Sequence, residues 1–228
     1  MAKAWRNNYY DISQVSSTVF IAHFRSHDAM MSVFTRQPWS MGSDTLLLDW
    51  FDLGDEVNSS GDYKFEYIFV TVRAYVIPRT ARSAALLSDI FNEVGAASEF
   101  HILQDNNLFG RQDYIWGTAK IKVSCPVKDR IKVNYPDNST GLAYLHYEKV
   151  SRICMFYGIM LHNVQFCPLR TNLLKETSKK GMPVHDVPTQ RYGNWIIDEK
   201  FIPAEAFQSI GMATKGSQRA TNPILARL

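Results

Sequence analysis

Along most of this chain, apolar and polar positions alternate with a period of two, the pattern of strands buried on one face. The clearest case is Tyr63–Ile77 (YKFEYIFVTVRAYVI), rich in aromatic and β-branched residues and closed by Pro78. Within it Phe69, Thr71, Arg73 and Tyr75 point one way, and Val70, Val72, Ala74 and Val76 the other. It reads as a central strand. Upstream, Thr18–Arg25 is a strand, and Thr45–Val57 is a strand fraying into an acidic turn. The turn residues Asn58–Asp62 predict that this second strand forms a hairpin with Tyr63–Ile77. Downstream the β pattern returns at Phe100–Leu103, Tyr114–Val123, Arg130–Tyr135, Leu142–Tyr147 and Ile153–Val164.

One segment carries the helical period instead. In Ser83–Val94, Leu86, Leu87, Ile90, Phe91 and Val94 form an apolar stripe, Ser83 fits the N-cap and Gly95 the stop. About eight strands and one inserted helix predict a mainly β fold, an antiparallel β-sandwich or single jelly roll. Strand and helix do not alternate, which argues against a doubly wound α/β fold. The expected division is an N-terminal arm at 1–17, a sandwich domain at 18–168 and an irregular C-terminal extension at 169–228 that wraps the core or a neighbouring subunit.

Composition adds limits. Of 228 residues, 46% are hydrophobic and 21% charged, enough apolar material for a core without staples. The three cysteines, Cys125, Cys154 and Cys167, form no CxxC pair and are expected to be free thiols in a reducing compartment. No apolar run reaches the ~18 residues of a membrane span, and the N-terminus lacks the apolar core of a signal peptide. Charge is segregated: residues 1–119 hold nine Lys/Arg against fourteen Asp/Glu, and residues 120–228 hold sixteen against eight. An acidic half joined to a basic half suits self-association or contact with a polyanion.

Catalytic signatures such as GxSxG, the P-loop, GxGxxG and HExxH are absent from the sequence, so binding and assembly are expected rather than enzymatic chemistry. His23 and His27 would share a helical face, but their surroundings read as strand. His101, His146 and His162 sit among apolar strand residues, and Asp49, Asp52, Asp55 and Glu56 read as a solvated acidic turn. No cofactor or metal is expected.

The most informative local pattern is Lys120–Tyr135 (KIKVSCPVKDRIKVNY). Alternation puts Lys120 and Lys122 opposite Ile121 and Val123, and Arg130 and Lys132 opposite Ile131 and Val133. Paired as a hairpin, the two strands would present four cations on one face, with Lys128 joining from the loop. Such a face suits sequence-independent contact with nucleic-acid phosphates, or anionic lipid headgroups; equally, it suits a solvated edge that resists aggregation. A weaker basic cluster is Lys175, Lys179 and Lys180. Trp5, Tyr9 and Tyr10, and Trp195 in the apolar island Tyr192–Ile202, are candidate subunit contacts.

The strand Tyr63–Ile77, the helix-bearing connection Ser83–Val94 and the run from Phe100 through IKVNYPDNSTGLAYLHY resemble the element order of single jelly-roll capsid proteins of small single-stranded DNA or RNA viruses. The resemblance covers about residues 10–165 and implies a virion protein that forms many-copy shells around nucleic acid, in host cytoplasm or nucleus. Residues 1–17 hold only Lys3 and Arg6 where such proteins carry an arginine-rich arm. The resemblance therefore assigns genome contact to the basic strand face or the C-terminal half. YKFEYIFVTVRAYVIPRTARSAALLSDIF and YGNWIIDEKFI are similar in pattern to rhabdovirus-type matrix proteins, which implies membrane contact instead. A non-viral β-sandwich binding module is the third reading.

Overall fold

The computed structural model describes residues 5, 8–50, 63–95, 114–187 and 190–210. The antiparallel, β-dominated character is as expected. The strands form one four-stranded sheet and two two-stranded ribbons.

The first ribbon pairs β1 (Tyr9–Gln14) with β2 (Phe20–Phe24), so part of the expected arm is a strand. A helix follows, α1 (His27–Phe34), with Ser26 as N-cap accepting from the Ala29 N–H. Trp5 is buried where these pieces meet, against Tyr9, Phe24 and Trp39. The second ribbon pairs β3 (Trp39–Met41) with β4 (Asp44–Leu46). Asp44 thus pairs back onto the preceding strand rather than forward onto Tyr63–Ile77. Arg152 fastens this ribbon to the later chain through Asp44 at 3.0 Å and Ser43 at 2.7 Å.

The main sheet runs β6 (Tyr114–Lys122), β5 (Tyr67–Tyr75), β8 (Thr140–Tyr147), β7 (Arg130–Asn134), all antiparallel. Its inner face carries Val70, Val72, Ala74, Ile121, Ile131 and Val133, as alternation predicts, together with Ile68, Ile115 and Leu145; Val76, expected on the same face, joins the outer cluster instead. Helix α2 (Ala84–Val94) covers that face with the five stripe residues, all buried. Phe91 lies on Gly117, where a Cβ would meet its ring at 3.1 Å, so the glycine lets helix and sheet approach.

On the outer face, Tyr75, Tyr114 and Tyr144 are covered by the C-terminal segment. Trp195 meets Tyr144 edge to face, and Ile202 with Phe207 and Ile210 packs on Tyr75. His146 and Arg73 reach Glu199 of the same segment at 3.6 and 3.8 Å. Trp195, Ile202, Phe207 and Ile210 of the expected extension therefore pack on this chain's own sheet.

Three elements depart from expectation. Ile153–Val164 contributes no strand; only an isolated Ile153–Met160 bridge forms. Pro168–Lys179, expected to be irregular, is a helix, α3. Ala204–Gln208 is a short final helix, α4. The expected strand Phe100–Leu103, along with His101, Asp52, Asp55 and Glu56, lies outside the described residues. Among the described residues, no helix is long and apolar enough to cross a membrane.

Candidate metal centre and the basic surfaces

The segment after β8 looks, by hydropathy, like another strand. It folds instead into a tight loop because its backbone hydrogen bonds close on themselves: the Cys154 N–H donates to the Ile159 carbonyl (2.8 Å), the Gly158 N–H to Cys154 (2.6 Å) and the Leu161 N–H to Arg152 (2.9 Å). Gly158 (φ +73°) makes the reversal, in the left-handed region that favours glycine. A Cβ there would also run into the Tyr192 ring. A 3-10 turn at Val164–Phe166 then delivers Cys167, the N-cap of α3.

The loop brings Cys154, His162 and Cys167 together, their ligand atoms all within 4.8 Å of one another. Both cysteines are buried, in an apolar cluster with Phe156. Burial pushes the Cys154 thiol up; the Tyr157 and Phe156 N–H groups on its sulfur oppose this, and the adjacent Cys167 thiol reinforces it. The buried His162 Nε2 has no hydrogen-bond partner among the described residues, and with the ring proton on Nδ1 it presents a lone pair to a ligand. Two thiols and an imidazole are the donor set of a borderline-soft divalent ion, above all zinc. Tetrahedral zinc holds such donors about 3.5–3.8 Å apart, so the loop needs a contraction of about 1 Å or less. Three protein ligands leave a fourth position to water or another oxygen.

The sequence reading missed this site because it looked for paired cysteines and for Cys/His doublets at finger spacing. The usable signal was three donors within fourteen residues, Cys154-x7-His162-x4-Cys167, interrupted by a glycine. The cysteines are free, as expected, yet two of them are neighbours; Cys125 is exposed.

Aromatic and cationic groups surround the loop. Arg191 lies 4.3 Å over the Phe156 ring and 5.6 Å over Tyr157, and Arg170 lies 5.9 Å over Phe156. Phe166 projects with 75% of its surface exposed. Lys175 and Lys179 share one exposed face of α3, four residues apart.

No family model, characterised protein or solved structure matches this chain. Its chemistry rests on its own geometry.

That geometry rearranges the expected basic face. The hairpin expected between Lys120–Val123 and Arg130–Val133 does not form, because β6 and β7 are the two opposite edges of the sheet. Alternation placed all four cations on the outer face, and they are there. They occupy diagonal corners, however. Arg130 aligns with Tyr144 and Tyr75, whereas Lys120 aligns with Phe69. Three strand spacings across and six residues along separate them by about 24 Å. Several are also engaged: Lys120 over the Tyr67 ring at 5.0 Å, Lys122 with Glu66 at 4.0 Å, Lys128 with Glu93 at 2.6 Å and Arg130 with Asp129 at 3.6 Å. Lys132 has no ion-pair partner among the described residues.

Of the four aromatic contact candidates, Trp5 is 3% exposed and packs within its own chain, and Tyr9 is half-buried beside it. Tyr10 is 61% exposed and stacks on His23. Trp195 is half-buried; its indole N–H donates to the Asp129 carbonyl at 2.8 Å.

Proposed function

We propose that this chain binds single-stranded nucleic acid through the Cys154–Cys167 loop, with a zinc ion as the staple that fixes the loop. The observation that carries the reading is the convergence of Cys154, His162 and Cys167 within 4.8 Å in a fourteen-residue segment. The loop already packs on the core through Ile153, Phe156 and Met160, and a metal held by the three donors would add to that free energy and fix their relative positions. Around the staple lie the two kinds of group that single strands use. Phe166 and Tyr157 offer ring faces for stacking and Arg170 and Arg191 offer cations beside the loop, while Lys175 and Lys179 extend the cationic surface about 12 and 18 Å along α3.

The test is metal content together with strand binding by the full chain. One zinc per chain by mass spectrometry is expected, with binding of a fluorescent twenty-nucleotide strand that weakens after chelation and recovers on re-addition of zinc. Binding unchanged by chelation, or a chain that takes up no zinc at neutral pH, would overturn the reading.

Assembly into a shell, with the jelly-roll arrangement that goes with it, is the second reading. The acidic and basic halves favour it, as do the exposed apolar residues Tyr10, Phe20 and Met41 on the N-terminal ribbons. Light scattering with the 260/280 nm absorbance ratio at low and high salt separates particles carrying nucleic acid from a monomer that binds it.

A further inference from the structure

The main sheet is split at one end. Strands β5 and β8 pair from Val72–Tyr147 to Tyr75–Tyr144 and no further, although β8 begins at Thr140. The cause is Val76, whose φ of +66° turns β5 away after Tyr75. Tyr75 and Val76 consequently both face the outer cluster, and Ile77 returns to the inner one. The first half of β8 keeps β7 on one side and loses its neighbour on the other.

The register fixes which backbone groups are left. The Glu148 N–H donates to Thr71 in β5, and the Leu145 N–H to Asp129 beside β7, so even-numbered residues of β8 face β5 and odd-numbered ones face β7. The N–H and C=O of Leu142, and those of Thr140, therefore point into the gap, with no hydrogen-bond partner among the described residues. A cleft of about 770 Å³ opens there, between Val76–Pro78 and the β7–β8 hairpin, with Ile210 on its lip. That volume suits a few residues of extended chain. A second group points to the same ligand. Tyr135, which lines the cleft, is 8% exposed, and its hydroxyl has no hydrogen-bond partner among the described residues.

Charge sets the polarity. Asp137 also lines the cleft, at the turn between β7 and β8 five residues on from Lys132, and it stays ionised there, because the Ser139 N–H and hydroxyl that it accepts from hold its pKa below the ordinary carboxylate value. Lys132, opposite Leu142 on the same face, is the cation with no partner among the described residues. A strand added beside β8 would place one side chain next to Leu142, within reach of the Lys132 ammonium.

We propose that this cleft docks an extended acidic peptide, which adds a strand to the free edge of β8 and pairs a carboxylate with Lys132. Backbone pairing supplies affinity and the lysine supplies selectivity. The site is distinct from the metal loop and stands independently of nucleic-acid binding.

The experiment titrates the full chain, by calorimetry and amide chemical shifts, with three blocked pentapeptides: alternating Val and Glu, the same with Lys for Glu, and the Glu peptide N-methylated at alternate amides. The Glu peptide is expected to bind and to shift Leu142 and Thr140. N-methylation should abolish this, because it removes the pairing donors. Lys132→Glu, an exposed change that spares the core, should weaken the Glu peptide about fivefold, the size of one exposed ion pair, and favour the Lys peptide instead. No binding at millimolar peptide, equal binding of the N-methylated peptide, or indifference to Lys132→Glu overturns the proposal.

Discussion

Cys154 carries two opposing demands. Without metal its sulfur sits in an apolar cluster, and burial raises its pKa, so the neutral thiol is the stable form. As a zinc ligand it must be a thiolate, for which the N–H groups of Phe156 and Tyr157 are already placed on the sulfur. The two states respond to pH in opposite senses. In the metal-free chain a folded-state pKa above the unfolded value gives stability that is complete below the ordinary thiol range and lost as pH rises through the raised value. In the zinc form protons compete with metal, so stability is lost as pH falls. Each displaced proton is worth about 1.4 kcal/mol per pH unit. The melting temperature gained on adding zinc should therefore grow steadily from pH 6 to pH 9, measured on chelator-treated and zinc-loaded chain. A gain that is flat or shrinks with pH contradicts thiolate ligation.

At the scale of elements, α2 shows how far local signals reach. The Ser83 Oγ accepts from the Leu86 N–H at 3.2 Å, with backbone in the extended region typical of an N-cap. Ser83→Ala should cost about 1 kcal/mol, or about 2–4 °C in melting temperature for a chain of this size, measured by thermal denaturation. Metal content should stay the same. This helix was legible because cap, stripe and stop all agree within the thirteen residues Ser83–Gly95, and each is a local effect. The metal loop was not legible for the opposite reason. ICMFYGIMLHNV has strand hydropathy, and the reversal depends on positive φ at Gly158 and Leu161, which no periodicity reports. Helix α3 escaped because no residue in it is buried, so it shows no apolar stripe; Pro168 at its first turn was the available sign. For the strands, alternation correctly named the faces of β5, β6 and β7 but not their neighbours. A face is set by the residue period, whereas strand order is set by where the chain crosses, and β5 and β8 both come between β6 and β7.

For the whole molecule, strand order decides how charge can act. Had β6 and β7 been a hairpin, their four cations would lie within one Debye length and bind a polyanion as a unit. Separated by about 24 Å, they lie beyond the ~8 Å screening length at physiological salt, and each corner acts alone. Lys175 and Lys179, by contrast, stand on the helix that starts at Cys167, next to exposed Phe166. Each phosphate neutralised on a single strand contributes about 0.7 to the slope of log affinity against log salt. Lys175→Glu with Lys179→Glu should therefore reduce that slope by about 1.4. Lys120→Glu with Lys122→Glu, and Arg130→Glu with Lys132→Glu, should each change it by less than about half a phosphate contact. Because the three pairs stand on different elements and share no ion-pair partner among the described residues, their effects should also add. Fluorescence anisotropy of a labelled strand across a salt series reads all three. Equal losses at every pair would mean diffuse attraction to the basic half with no defined site. A loss confined to Lys120 and Lys122 would return the interface to the sheet and leave the metal loop a structural staple only.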